Sequence, residues 1–179
     1  MGYTQRIPSL TQHARRAPGA AVLQVLRRIE LECQTRAQAE DVSDELAALL
    51  PDPIKSRLGL VELLFNAIEH GNLEIGGAHK CRLLREHRFD DEVAQRYEAA
   101  PYRARRVRVQ VHVTYPVVDI EIHDDGSGFD WRTVVAADDY AKESPNGRGI
   151  AIVSRTCFPG LAYNEAGNVA IVRVAWPRE

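Results

Sequence analysis

Cysteine, methionine and aromatic residues are scarce in this 179-residue chain: three Cys, one Met, and 7% Phe, Trp and Tyr together. Cys33, Cys81 and Cys157 are scattered, odd in number and never in C-x-x-C spacing. That argues against a disulfide framework or a zinc site and suits a reducing compartment. No apolar run approaches the roughly 18 residues of a membrane span. The start, Met1-Gly2-Tyr3-Thr4-Gln5-Arg6, lacks the apolar core of a secretory signal. A cytoplasmic location with no membrane partner is the expectation. An excess of either charge is also missing. Net charge is −2 and the pI about 6.3, so no overall basic field favours nucleic acid. Acidic residues are absent from 1–28, which carry Arg6, Arg15, Arg16, Arg27 and Arg28. With Pro8, Pro18 and Gly19 and weak periodicity, residues 1–27 are expected to be a basic tail or linker. Internal repeats and low-complexity blocks are lacking too.

What is present is globular: 45% hydrophobic and 27% charged residues, in a length that suits one domain, here residues 28–179. Ile29, Leu31 and Cys33 alternate with polar residues, which predicts a half-buried strand. Thr35 to Leu50 reads as a helix with Val42, Leu46, Leu49 and Leu50 on one side, punctuated by Pro51 and Pro53. Asp52 is placed to cap the next helix. That helix runs to about Gly71, with Val61, Leu64, Phe65 and Ile68 at i, i+3, i+4 and i+7 predicting its apolar face. Glu62, Asn66 and His70 recur every fourth residue and form a second, polar line.

Residues 79–100 are charged and helical, with Leu83, Leu84, Phe89, Val93 and Tyr97 as apolar anchors. They read as a helical insertion, either packed on the core or offering a docking surface. Two alternating strands follow, Val107 to Thr114 and Val118 to His123, joined at Tyr115-Pro116. Each has one polar face, so the sheet is covered on one side only. His112 and His123 lie on that polar face and read as surface histidines. Leu161 to Tyr163 and Val169 to Val174 predict a last hairpin. The expected fold class is α+β: a two-layer α/β sandwich, its sheet mixed but mostly antiparallel, its helices on one face.

Two glycine motifs carry the chemistry. In Ile122-His123-Asp124-Asp125-Gly126-Ser127-Gly128-Phe129, the inward register 118, 120, 122 continues to Asp124, whereas Asp125 points the other way. A carboxylate on the inner face is costly unless something hydrogen-bonds it, and the glycines leave room for a ligand to approach. Such an acceptor suits an exocyclic amine. The plain alternative is a solvated Asx turn; an EF-hand calcium loop lacks its spacing. In Asn146-Gly147-Arg148-Gly149-Ile150, glycines open a helix whose N-terminal N–H groups suit phosphate, with Arg148 an added charge. The spacing is neither Walker A nor Rossmann.

E-x-x-x-N on a helix, then D-x-G-x-G after a strand, then G-x-G opening a helix resembles the Bergerat-fold ATPases (GHKL superfamily). That group includes gyrase, heat-shock chaperones, MutL and histidine kinases. Glu62-Leu63-Leu64-Phe65-Asn66-Ala67-Ile68-Glu69-His70-Gly71 looks most like the anti-sigma-factor serine kinases. The resemblance implies an ATP-binding serine/threonine protein kinase that uses ATP and Mg²⁺. It implies Glu62 as general base, Asn66 as magnesium ligand and Asp124 as reader of adenine. Gly126, Gly128, Gly147 and Gly149 would close on the nucleotide, 129–146 would form a short lid, and Lys142, Arg148 and His70 would be nucleotide contacts. The implied partner is a protein, an anti-sigma-factor antagonist or a sigma factor. The chain departs from the group at Val169-Ala170-Ile171, where many members place a threonine, and in the 79–100 insertion.

Other readings stay open: a slow or non-catalytic ATP-binding switch, a fragment of a larger two-component-like signalling protein, a homodimer, or an α/β domain with no nucleotide. A histidine-kinase catalytic domain is disfavoured, because His13 lacks an acidic neighbour and too few residues precede the fold for a dimerisation hairpin.

Overall fold

A computed structural model of the chain describes residues 27–132 and 148–177, with Arg148 described by its backbone alone. Residues 1–26, most of the expected tail, lie outside the described residues, as do Lys142, Gly147 and most of the expected lid. In chain order come β1 (Arg28–Cys33), α1 (Arg36–Ala47), α2 (Pro53–Asn66), α3 (Gly77–Arg85), α4 (Phe89–Glu98), β2 (Val107–Thr114), β3 (Val117–His123), α5 (Arg148–Ile152), β4 (Ala162–Tyr163) and β5 (Val169–Ala175). α2 continues directly into a π-helix, Ala67–Asn72, and α5 into another, Val153–Cys157. None of the described helices is long and apolar enough to cross a membrane.

The helix starts follow from their caps. Thr35 and Gln38 form a reciprocal capping box: Gln38 N–H donates to Thr35 Oγ1 at 3.3 Å, and Thr35 N–H donates to Gln38 Oε1 at 3.2 Å. Asp52 caps α2 by accepting from Lys55 N–H at 3.1 Å, with Pro53 opening the helix, where a missing N–H costs nothing.

The architecture is α+β, a two-layer α/β sandwich. Its five strands run in the order β1-β2-β3-β5-β4. Each pair is antiparallel, so the expected mixture of directions is absent from the described sheet. The reason lies in the connections. β2 and β3 form a hairpin, and β5, after turning back from β4, slots between β4 and β3. Val107, Val109, Val111 and Val113 of β2 and Val118, Ile120 and Ile122 of β3 are buried against the helices. Arg108, Asp119, Glu121 and His123 occupy the other face, where Arg173 pairs with Asp119 at 2.6 Å. The ladder begins one residue early, at the Arg27 carbonyl, which accepts from Val113 N–H.

The buried face of α2 differs from the expected one. Leu60, Leu63, Leu64 and Ala67 form the inward line, with Ile68 behind them, whereas Val61 and Phe65 are only half-buried. The helix packs on neighbours along both flanks, which widens and turns its buried arc. On one side the Arg36 guanidinium of α1 lies 4.6 Å from the centre of the Phe65 ring. On the other, Gly59 lets the second π-helix approach: a Cβ there would sit 2.5 Å from the Phe158 ring. Burying a side chain such as Leu60 or Leu64 is worth about 1.5–3 kcal/mol. α1 ends at Ala47, three residues short of the expected Leu50. Leu46 and, in the turn beyond the helix, Leu50 are buried as expected, but Ala39, Ser43 and Ala47 complete the line while Val42 and, after the helix, Leu49 are half-buried.

The insertion resolves into α3 and α4. Leu83, Phe89 and Val93 join the core and Tyr97 packs beside it, so these helices belong to the core layer. Leu84 is the exception at 50% exposed.

Candidate functional site

α2 carries Glu62 and Asn66 on the edge next to its buried arc, and the π-helix carries His70 and Gly71. A π-helix adds one residue per turn, so it rotates the residues after it. The result here is that Glu69 and Asn72 point into the protein, at 1% and 3% exposed, while Gly71 comes under the end of β3. Gly71 touches the Asp124 carboxylate with no room for a Cβ, and a Cβ at Gly126 would lie 2.6 Å from the Gly71 carbonyl oxygen. The H-G pair and the D-x-G pair are thus two sides of one backbone contact.

Asp124 and Asp125 separate as the strand alternation predicts. Asp125 turns to the outer face, where it accepts from Arg108 Nη2 at 2.8 Å and from Arg106 N–H at 3.1 Å. Burial works against its ionised form, but the Arg108 and Arg106 hydrogen bonds outweigh it and hold the carboxyl below the usual range. Its own N–H donates to Asn72 Oδ1 at 2.7 Å, tying this loop to the π-helix. Asp124 stays on the inner face. Burial pushes its pKa up to about 6, opposed by the hydrogen bond that Oδ1 accepts from Gly126 N–H at 2.8 Å, and raised further by Asp125.

A cavity of about 560 Å³ brings these groups together, a size typical of small-molecule sites. Glu62, Asn66 and His70 line it from the helix edge; Ile122, Asp124, Tyr163 and Ala170 line it from the sheet. Gly149 and Ile150 of α5 line it beside Glu62. A Cβ at Gly149 would meet Glu62 Oε2 at 2.5 Å, so the G-x-G helix is seated on that carboxylate. Among the described residues Glu62 has no hydrogen bond or ion pair. The Asn66 amide nitrogen is buried and has no hydrogen-bond partner among them. His70 uses Nδ1–H to bond the Ile75 carbonyl, which fixes its ring at the cavity rim.

Of the expected site residues, the structure brings Glu62, Asn66, His70, Asp124, Gly128 and Gly149 to one cavity. Gly126 lies beneath it, against Gly71. Gly128, with φ +79°, makes a crossing with the β4–β5 turn, where Gly167 has φ +82°; a Cβ on either would run into the other segment's backbone. These glycines serve chain–chain approach in this structure.

Sequence reasoning missed several lining residues. Tyr163 and Phe129 stack edge to face at 5.2 Å, with Trp131 6.0 Å from Tyr163, closing the sheet end with aromatic surface. Gly77, Lys80, Cys81 and Leu84 line the cavity from α3, and Gly76 from the residue before it. No local signal marks them, because each reaches the site through packing of the insertion. Glu69 stands inside the Glu62–Gly71 stretch that carries E-x-x-x-N, but its sequence context assigns it no role. In the structure it is buried and paired with Lys80, with Arg36 at 3.5 Å.

The donor set bears on a metal nucleotide. Among the described residues no three His, Cys, Asp or Glu side chains gather as a cation cage. Magnesium usually needs only one or two oxygen ligands from the protein beside phosphate oxygens and water. The carboxamide oxygen of Asn66 is of that type, while its buried, unpartnered amide N–H is a donor and suits a phosphate oxygen. In comparisons with known proteins, no family model and no curated protein matches this chain.

Proposed function

We propose that this cavity is a Mg-ATP site of the Bergerat type and that the protein is a serine/threonine kinase of the anti-sigma-factor kind, acting on a protein partner. The observation that carries the proposal is one cavity that gathers three groups. They are a half-buried strand-end carboxylate, Asp124, a carboxylate unpaired among the described residues, Glu62, and an amide with an unused buried donor, Asn66. Three motifs far apart in the chain supply the cavity wall.

The residues divide the work by their chemistry. Asp124 accepts a hydrogen bond from an exocyclic amine, beside apolar surface from Ile122, Ala170 and Tyr163 that suits a flat base. Asn66 holds the phosphate end through its carboxamide. ATP with Mg²⁺, when bound, supplies the phosphoryl group and the neutralising charge for its transfer. Glu62 takes the proton of the incoming hydroxyl, general-base work typically worth about 10²- to 10⁴-fold in rate. With no partner among the described residues, its carboxylate is available for that proton.

The test is calorimetry of the full chain with Mg-ATP, followed by labelled ATP in extract from the native cell. Saturable binding and label on a partner's serine or threonine are the expected results. Glu62→Gln should bind nucleotide nearly as well and lose transfer by at least about a hundredfold. Absence of heat and of any thermal shift with Mg-ATP or Mg-ADP overturns the nucleotide site; wild-type transfer by Glu62→Gln overturns the general base.

A further inference from the structure

α3 presents Gly77, Lys80, Cys81 and Leu84 to the cavity, a spacing that places them on one helix face. Among the described residues that line the cavity, Lys80 is the one lysine or arginine, while Glu62 and Asp124 contribute carboxylates. An anion entering there meets acidic walls and a single fixed cation from this set.

Lys80 is held in an unusual way. Its side chain is 31% exposed, yet its ammonium pairs with Glu69, whose side chain is 2% exposed. The Phe89 ring centre lies 5.4 Å from Nζ. A buried carboxylate left with no cation is strongly destabilising, so Glu69 needs a partner at all times. It has a second one: Arg36 Nε lies 3.5 Å from the other carboxylate oxygen. Glu69 can therefore keep Arg36 while Lys80 turns away. The stem of Lys80 is long and its head has three donors, which suits an ammonium shared between two acceptors. α3 itself is lightly anchored, with Leu83 its one buried residue, so a small movement of Lys80 disturbs little packing.

We propose that Lys80 is an anion-binding residue of this cavity, exchanging its contact with Glu69 for the phosphate groups of a nucleotide. The proposal rests on the nucleotide reading above and adds a contact from the insertion to it. Glu69 then acts as the internal competitor that sets the strength of the phosphate contact. Affinity rises with the phosphate count of the ligand through Lys80, and the affinity for the bare nucleoside is independent of it.

The experiment is calorimetry of the full chain with adenosine, AMP, ADP and ATP, with Mg²⁺ present, for the wild type and for Lys80→Gln, Lys80→Arg, Glu69→Gln and the double variant Lys80→Gln/Glu69→Gln. Thermal melts confirm folding, and the double variant removes the buried charge along with its partner. Lys80→Gln and the double variant should lose about tenfold in ADP affinity, the scale of one charge-assisted hydrogen bond, with adenosine unchanged. Lys80→Arg should restore most of the loss. Glu69→Gln, which frees Lys80, should tighten ADP binding severalfold and leave adenosine unchanged. Equal losses for adenosine and ADP, or no change in ADP affinity in both variants that lack Lys80, overturn the assignment of Lys80 alone. Failure of the wild type to bind any of the four ligands overturns the nucleotide reading, and this proposal with it.

Discussion

The helix Pro53–Asn72 and the helix Gly77–Arg85 line the same cavity, but they are held in place by different means. The first, α2 with its π-helix, buries Leu60, Leu63, Leu64 and Ile68 in the centre of the core. The second, α3, buries Leu83 and leaves Leu84 half in solvent. Glu62 and Asn66, to which we assign the general base and the phosphate contact, sit on the embedded wall. The lysine that we propose changes partners sits on the light one. Precision comes from rigid elements, and adjustment from elements with few buried contacts.

The contrast breaks most readily at its strong end. Leu60→Ala, at a residue with no exposure, should cost about 2–5 kcal/mol in a denaturant melt. A cost below about 1 kcal/mol would mean that α2 is not the embedded wall. The next largest effect is at the strand end. Asp124→Asn should weaken Mg-ADP by about tenfold or more, the scale of a hydrogen bond to a charged group, while Asp125→Asn leaves affinity unchanged. Equal effects by calorimetry would mean that the two faces of β3 are not distinct.

Asp124 also predicts a pH effect with a definite sign. Its folded-state value of about 6 lies above the ordinary 3.8, so the folded protein holds this proton more tightly than the unfolded chain. The stability it contributes is complete below about pH 4 and is lost as pH rises through about 6. Asp124→Asn should therefore gain melting temperature relative to wild type between pH 5 and 7, and not at pH 3.5. Adenine-nucleotide affinity should run the other way, falling as pH drops through about 6 and the acceptor is protonated. Parallel pH curves for wild type and variant would remove Asp124 as the cause. The smallest effect belongs to the light wall: Leu84→Ala should shift stability by no more than about 0.5 kcal/mol, and a loss of about 2 kcal/mol would show that α3 is anchored as firmly as α2.

Much of the fold was legible in the chain because alternation has a period of two. β2 and β3 carry valine and isoleucine at every second position, and the same alternation separated Asp124 from Asp125. The cap at Asp52 was legible because a side-chain oxygen three residues before an amide is a local arrangement, whereas Thr35, read as the first residue of its helix, proved to be that helix's cap. The face of α2 was less so. Val61 and Phe65 have the right spacing for burial, but a helix packed on both flanks buries a wider arc, and the centre of that arc depends on its neighbours. The cavity was half legible. Glu62, Asn66 and Asp124 stand in motifs, whereas Lys80, Tyr163 and Leu84 do not.

The residues along the chain were thus enough to specify strands, helix starts and the inward carboxylate, since each depends on contacts within a few positions. The π-helix at Ala67–Asn72 is of another kind. It adds a residue to the turn, seats Gly71 on Asp124, turns Glu69 inward to Arg36 and Lys80, and sends Asn72 to the amide of Asp125. Those partners lie as far as 53 residues away. No periodicity encodes them, because the energy that favours the extra residue comes from surfaces that meet only when the chain is packed.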